Sequence, residues 1–488
     1  MIARKNAISP SREEDFALWY QAVIAPLAQH GDVAGTQVIK PWGYAIWERI
    51  QTMLDRQIKA TGHQNFYAPL LMPLEALEKE ANHLDFAKEC AVVTHSRLGM
   101  SKDGMLEPQS PLTRPVVIRP TSEAIIGPIV KNWIQSHRDL PLKLNQWANV
   151  VRWEMRTRLF LRSSEFLWQE GHTFHANAQE AGEHAKNMLN VYEDFFINAL
   201  CLSPIVGPKP AYERFAGANE TWTLELMMQD GKALQGGTSH DLGQNFAKAY
   251  DIKFAAQSGS QDYVSGTSWG LTTRLIGALV MTHGDDDGLR LPPAVAPQHV
   301  VIIPVNAHQS EDVMRTCEVL LDQIANMKYA GEQVRVQIDS RDMRGGEKSW
   351  DWIKKGVPIR LEVGPRDVES QTCMMMLRTQ EPKQKEALKL SEVDQIPEHI
   401  AKVHHQLTQE AKRFMDEKVV ESHSIEEVLN ILQSDNQFVW VPFLDEQGSE
   451  SMLKEHGLTI RCLKKSSVTR CVWTNLETDT LALVARAY

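Results

Sequence analysis

Apolar residues recur at helical spacing through residues 43–54, where Ile46, Trp47, Ile50 and Leu54 predict a buried stripe. Beyond Gly62, residues 66–73 read as a strand. Pro69 would cost an interior strand a ladder hydrogen bond, which places the segment at an edge or an interface. Val116, Val117 and Ile118 predict a strand ending at Pro120. Residues 269–283 predict a helix, closed by a turn over residues 284–288. Pro292, Pro293 and Pro297 then break the pattern and mark a domain boundary. After them, residues 300–305, 334–338 and 359–363 read as strands separated by helical periodicity. That alternation predicts a small α/β domain with a mostly parallel sheet. A charged amphipathic helix is expected over residues 397–420, followed by a compact C-terminal module. No internal repeat or low-complexity tract interrupts the chain.

With 488 residues the chain exceeds what one core usually serves, so two or three domains are expected. Hydrophobic content of 43% and charged content of 23% describe a globular protein. No apolar run approaches a membrane span, and the opening residues Met1 to Asn6 do not resemble a signal peptide. Six scattered cysteines fit free thiols in a reducing compartment, so a cytoplasmic location is expected. The net charge of −10 gives no general reason to bind nucleic acid, so any RNA contact must be regional.

The densest chemistry lies in residues 151–154 and, after a short basic loop, 162–172. Read as a hairpin, alternation puts Arg152 with Glu154 on one face, and Phe166, Trp168, Glu170 and His172 together on the return strand. Such a surface suits a nucleotide and a small ammonium-bearing substrate; an amphipathic hairpin with a solvated polar face explains the same pattern. Thr121, Ser122 and Glu123 either cap a helix or hold an ammonium group. Gln235, Gly236, Gly237, Thr238 and His240 form either a turn or a close-approach ligand segment. Arg274 sits in an apolar stretch and needs a partner: an internal carboxylate or a phosphate. With Arg152 and Arg162 it would supply three guanidinium groups suited to a triphosphate. No GxxxxGK[ST] loop is present, so the phosphate device is not a P-loop.

In this order the segments resemble the motifs of class II aminoacyl-tRNA synthetases, specifically prolyl-tRNA synthetases of the archaeal/eukaryotic type. The segment from Tyr44 to Pro69 resembles motif 1, and Arg119 to Glu123 the loop that grips the amino group. Arg152 to His172 resembles motif 2, and Ser268 to Arg274 motif 3. Residues 356–367 resemble the anticodon-binding domain. The resemblance implies an α/β (α+β) protein: an antiparallel catalytic sheet flanked by helices over residues 1–296, an α/β anticodon-binding domain over 297–400, and a small α/β C-terminal domain over 401–488. It implies a homodimer that activates L-proline with ATP and Mg2+ and charges tRNA(Pro). Arg152 would hold the α-phosphate and the prolyl carboxylate, Glu154 would help place adenine, and Phe166 and Arg274 would sandwich it. Arg274 would also reach the γ-phosphate, Arg162 would support the β/γ end, and Gln235, Thr238 and Thr272 would complete the nucleotide site. Proline would lie among Thr121, Glu123, Arg152, Trp168, Glu170, His172, Phe215, His240 and Ser268. Glu225 and Gln235 would face Mg2+, and Lys348, Glu362 and Arg366 the anticodon.

Some positions depart from the family pattern. Ser164 replaces a motif 2 arginine, and the preceding loop is a residue shorter, which bears on contacts with ATP or the acceptor end. Asp241 stands where His or Tyr is common. Only Cys462 and Cys471 fall in the region of the family's four-cysteine zinc site, and Thr474 replaces the partner of Cys471, so no zinc is expected. The interval from His175 to Ser265 is too short for the large editing domain of the bacterial-type enzyme. The terminal Tyr488 resembles the family's C-terminal tyrosine that approaches the active site; a frayed terminus is the other reading. Two further functions stay open: a paralogue charging a different acceptor, and a non-catalytic RNA-binding regulator.

Overall fold

A computed structural model describes residues 7–78, 87–382, 384–434, 436–444 and 449–488; the opening residues 1–6 lie outside it. Seven strands form the central sheet in the spatial order Gln64–Asn65, Leu142–Val151, Glu165–His175, Ser265–Thr272, Ala233–Gly243, Glu220–Met227, Ile205–Pro208. The first pair is parallel and the other neighbours are antiparallel. The helix Ala178–Asn198 covers one face with Ala181, Ala185, Met188, Tyr192 and Phe196, and the Asn177 side chain caps its first turn. A cavity forms on the other face.

Three expectations change. The strand beginning at Leu142 ends at Val151, so Arg152 and Glu154 lie just beyond the hairpin ladder. The chain is drawn out of the sheet where Trp153 N–H donates to the Glu89 carbonyl at 2.7 Å. Residues 66–73 are not one strand. Gln64–Asn65 joins the central sheet, whereas Leu71–Pro73 pairs with Leu106–Ile118 in a separate three-stranded sheet, with Pro69 between the two. The helix expected over 269–283 begins only at Arg274, because Ser265–Thr272 is a central strand. Trp269 and Leu271, 1% and 2% exposed, alternate with Gly270 and Thr272. That is a period of two, which a short apolar run hides.

The second sheet is mixed rather than mostly parallel. Val336–Ile338, Val300–Pro304 and Ile359–Val363 are parallel, and Thr372–Leu377 and Glu386–Lys389 follow antiparallel. Its strand Val300–Pro304 is buried on both faces, hence the continuous apolar run. Asp285, in the turn after the helix Arg274–His283, receives both terminal guanidinium nitrogens of Arg378, the residue after Thr372–Leu377, one at 2.7 Å. The helix Ile396–Lys418 leads to a C-terminal sheet ordered Val419–Glu421, Phe438–Pro442, Glu477–Ala485, Thr459–Arg470. This sheet lies against the far edge of the central one. A Cβ on Gly207 would come within 2.6 Å of the Leu463 carbonyl, so glycine is what permits the approach.

Candidate active site

The cavity on the face away from the helix Ala178–Asn198 has a volume of about 500 Å³ and a mixed polar and aromatic lining. Alternation on Glu165–His175 turns Phe166, Trp168, Glu170 and His172 into it. Neighbouring strands add Gln235, Thr238, His240, Ser268 and Thr272, the start of the helix Glu123–Val130 adds Glu123, and the loops add Thr121, Arg152, Glu154, Arg162 and Phe215. Arg274 enters from the first turn of its helix, where its backbone N–H donates to Thr272 Oγ1 at 3.0 Å.

One end of the cavity is cationic. The Arg274 guanidinium donates to the carbonyls of Leu161 at 3.1 Å and Gln235 at 3.3 Å. Burial, then repulsion from Arg162, Arg152 and Arg461, pulls its pKa down to about 10. Arg152 donates to the Pro120 carbonyl at 2.9 Å and lies 5.8 Å from the Phe166 ring centre and 5.9 Å from that of Trp168. Arg162 approaches Glu154 at 3.5 Å. Guanidinium groups crowded against one another, in a partly dry site, form a receptor for a polyanion.

The other end gathers hydroxyls, carboxylates and imidazoles. Thr121 donates to Glu123, while Ser122 and Gln146 both donate to one oxygen of Glu170. Ser122 stands at the helix N-cap position, yet its hydroxyl serves Glu170 instead of the backbone. His172 Nε2 lies 3.0 Å from the other Glu170 oxygen. Burial opposes charging His172, but the bond to Glu170 and the charges of Glu170 and Glu123 outweigh it and raise its pKa. His240 differs: burial holds it down to about 4, with Thr221 Oγ1 at 2.9 Å from Nδ1. Trp168 Nε1 and Ser268 Oγ are buried and have no hydrogen-bond partner among the described residues.

Two expected assignments do not fit this geometry. Glu225, placed on the Mg2+ side, is fully buried outside the cavity lining and receives Arg461 Nε at 2.9 Å and Thr223 Oγ1 at 2.6 Å. A carboxylate so engaged has little left for a cation. Lys348, placed at the anticodon, turns inward and donates to the Asp339 carbonyl at 2.9 Å. Glu362 is paired with Lys385, and Arg366 is exposed on the short helix Pro365–Ser370. Among the described residues no group of three or more His, Cys, Asp or Glu side chains is disposed to hold a metal ion. Arg119 is structural: it ties the loop to the carbonyls of Ala68 at 2.7 Å and Asn149 at 2.8 Å.

Sequence reasoning missed Glu89 and Lys209, which line the cavity, and Arg461, which reaches Glu225 from the C-terminal sheet. No local pattern marks them, since each arrives through tertiary packing. Ser164 is buried against Gly35, whose φ of +81° and lack of a Cβ let the 31–36 loop close on the hairpin base. The terminus is ordered. Tyr488 donates to Asp230 at 2.6 Å, and its ring lies 5.1 Å from the Arg158 guanidinium.

Family comparison agrees with this architecture. Residues 107–283 match the model described as "tRNA synthetase class II core domain (G, H, P, S and T)", and residues 299–396 match "Anticodon binding domain". A proline–tRNA ligase of Rhodopirellula baltica is 50% identical over 100% of this chain and 98% of its own. One from Protochlamydia amoebophila is 49% identical over 99% of each chain. The crystal structure of prolyl-tRNA synthetase from Cryptosporidium parvum complexed with halofuginone and AMPPNP superposes with a TM-score of 0.89 at 34% identity, covering 99% of this chain and 97% of that one. With a class II core, an anticodon-binding unit and half its residues shared along its whole length with such a ligase, the chain belongs to the prolyl-tRNA synthetase family.

Proposed function

We propose that the cavity activates L-proline with ATP and passes the prolyl group to the 3′ end of tRNA(Pro). The observation that carries this reading is the division of one cavity into a guanidinium end and an ammonium-accepting end. Arg152, Arg162 and Arg274 take the phosphates, Phe166 and Arg274 enclose adenine, and Glu154, Gln235, Thr238 and Thr272 complete the nucleotide site. Proline lies among Thr121, Glu123, Trp168, Glu170, His172, Phe215, His240 and Ser268, its ring against aromatic walls and its ammonium toward carboxylates. A carboxylate oxygen attacks the α-phosphorus as the bond to pyrophosphate breaks. A ribose hydroxyl then attacks the acyl carbon, releasing AMP and a proton. No side chain is needed as a nucleophile; positioning and charge stabilisation carry both steps.

Mg2+, arriving with ATP, would neutralise phosphate charge, and it commonly binds through substrate phosphates with few protein ligands. Gln235 suits that role, and Glu225 is not proposed for it. In the same reading the domains divide at residues 296 and 400, and Arg366 lies on an anticodon-facing surface. The protein works as a cytoplasmic homodimer, with Leu98, Met100, Met105 and Leu106, each more than 60% exposed, as candidates for burial by the second copy. Structural zinc is not expected, and elemental analysis of the purified protein tests that point.

The deciding experiment is ATP–pyrophosphate exchange with proline against alanine, cysteine and threonine, followed by charging of unfractionated tRNA. Proline-dependent exchange with charging is expected. Exchange without charging would favour a different acceptor, and no exchange would favour a regulatory protein.

A further inference from the structure

Lys209 follows the edge strand Ile205–Pro208 and lines the cavity with its side chain only 6% exposed. Among the described residues its ammonium makes no hydrogen bond, and its one ion pair is a 3.9 Å approach to Glu213. The neighbouring Arg214, by contrast, is tied to Glu220 at 3.0 Å and to the Asn219 carbonyl. A buried ammonium with no hydrogen-bond acceptor is costly, and burial holds the pKa of Lys209 below that of a free lysine against the pull of the Glu225 and Glu213 carboxylates. Its unused donors are open to an anionic ligand in the cavity.

The sheet register says where that ligand enters. The Lys209 N–H donates to the Thr221 carbonyl at 2.7 Å, Thr221 pairs with His240, His240 with Ser268, and Ser268 with His172. Lys209 therefore ends the row that floors the proposed proline site. On the strand Ser265–Thr272, four residues, roughly 13 Å at strand rise, separate the Ser268 row from the Thr272 row that precedes Arg274. ATP phosphates already have three arginines. The prolyl carboxylate is consumed when the adenylate forms, and the prolyl ammonium repels a second cation. The anion still to arrive is that of the acceptor RNA.

We propose that Lys209 is a positioning residue for the second step, holding the last phosphodiester of the acceptor end so that the terminal ribose faces the adenylate. This rests on the function proposed above and adds the group that seats the RNA.

The test pairs Lys209→Met and Lys209→Arg with tRNA carrying a neutral methylphosphonate at its last linkage. Lys209→Met should slow single-turnover prolyl transfer at subsaturating tRNA about tenfold or more, while exchange falls less than about threefold. Lys209→Arg should recover much of the loss. The slope of log affinity for tRNA against log salt should become shallower by about 0.7, the share of one single-strand phosphate contact. Neutral tRNA given to the unaltered protein should reproduce the loss without any substitution, and combining it with Lys209→Met should add nothing further. Additive losses, an unchanged salt slope, or equal losses in exchange and transfer would overturn the proposal. Absence of proline-dependent exchange in the unaltered protein would instead overturn the function it rests on.

Discussion

His172 and His175, three residues apart on one strand, face opposite sides of the central sheet and differ in character. His172 faces the cavity beside Glu170 and is raised above its ordinary pKa. His175 faces the other side and is held down to about 3 by burial, His184 and Lys143. There it joins His63 and His184, whose Nε2 atoms lie 3.3 Å apart, with ring centres of His175 and His184 at 5.1 Å. His63 is held to about 3 and His184 to about 4, burial being the first cause in each. Residue type therefore says little about role in this sheet. On the strand Glu165–His175, parity decides whether an imidazole meets the Glu170 carboxylate and the cavity or other imidazoles and a packed helix.

The largest break in this comparison should come from the cavity face. Arg152→Ala is expected to lower proline-dependent pyrophosphate exchange by about 10²–10³-fold or more, the scale of losing one charge-stabilising donor. Unaltered exchange would refute the role given to Arg152. Next, Glu170→Gln removes the charge that raises His172. The imidazole pKa, followed by NMR, should fall, and KM for proline should rise by about tenfold or more. An unmoved His172 titration would detach the two residues.

The smallest catalytic effect belongs to the back face. His175→Gln should leave exchange within about threefold and act on stability, by about 1–3 kcal/mol. The sign of its pH dependence follows from linkage. A folded pKa near 3 against about 6.5 unfolded means that the unfolded chain binds protons first, so stability is complete above pH 6.5 and lost as pH falls toward 3. His172 has the opposite sign: its contribution is present below pH 6.5 and lost as pH rises through its raised folded value. Thermal melting across pH 4–7 should therefore show a shallower acid decline for His175→Gln than for the unaltered protein. An identical decline would sink the assignment.

Much of the cavity was legible because its residues come in local words. The alternation of Phe166, Trp168, Glu170 and His172, and the polar run from Gln235 to His240, keep their meaning wherever the strands lie, since side-chain parity is a property of extended backbone. The prolines of 291–297 and the buried strand at Val300–Pro304 likewise announce a change of unit from composition alone. The boundary between strand and helix near Arg274 was not legible, because Trp269, Leu271, Leu275 and Ile276 satisfy both periods over so short a run.

What remained for the tertiary structure was the pairing of distant charges. Glu225 meets Arg461 across 236 positions of sequence, Lys348 turns to a backbone carbonyl, and Lys209 faces the cavity with only a 3.9 Å approach to Glu213 among the described residues. A charged side chain carries no local mark of its partner. Burial and neighbours decide whether it is an internal brace or a hand held out to a ligand, and both are set only when remote segments pack. The sequence by itself determined which chemistry the chain carries and which strands present it; packing decided which of those charges stay free to use it.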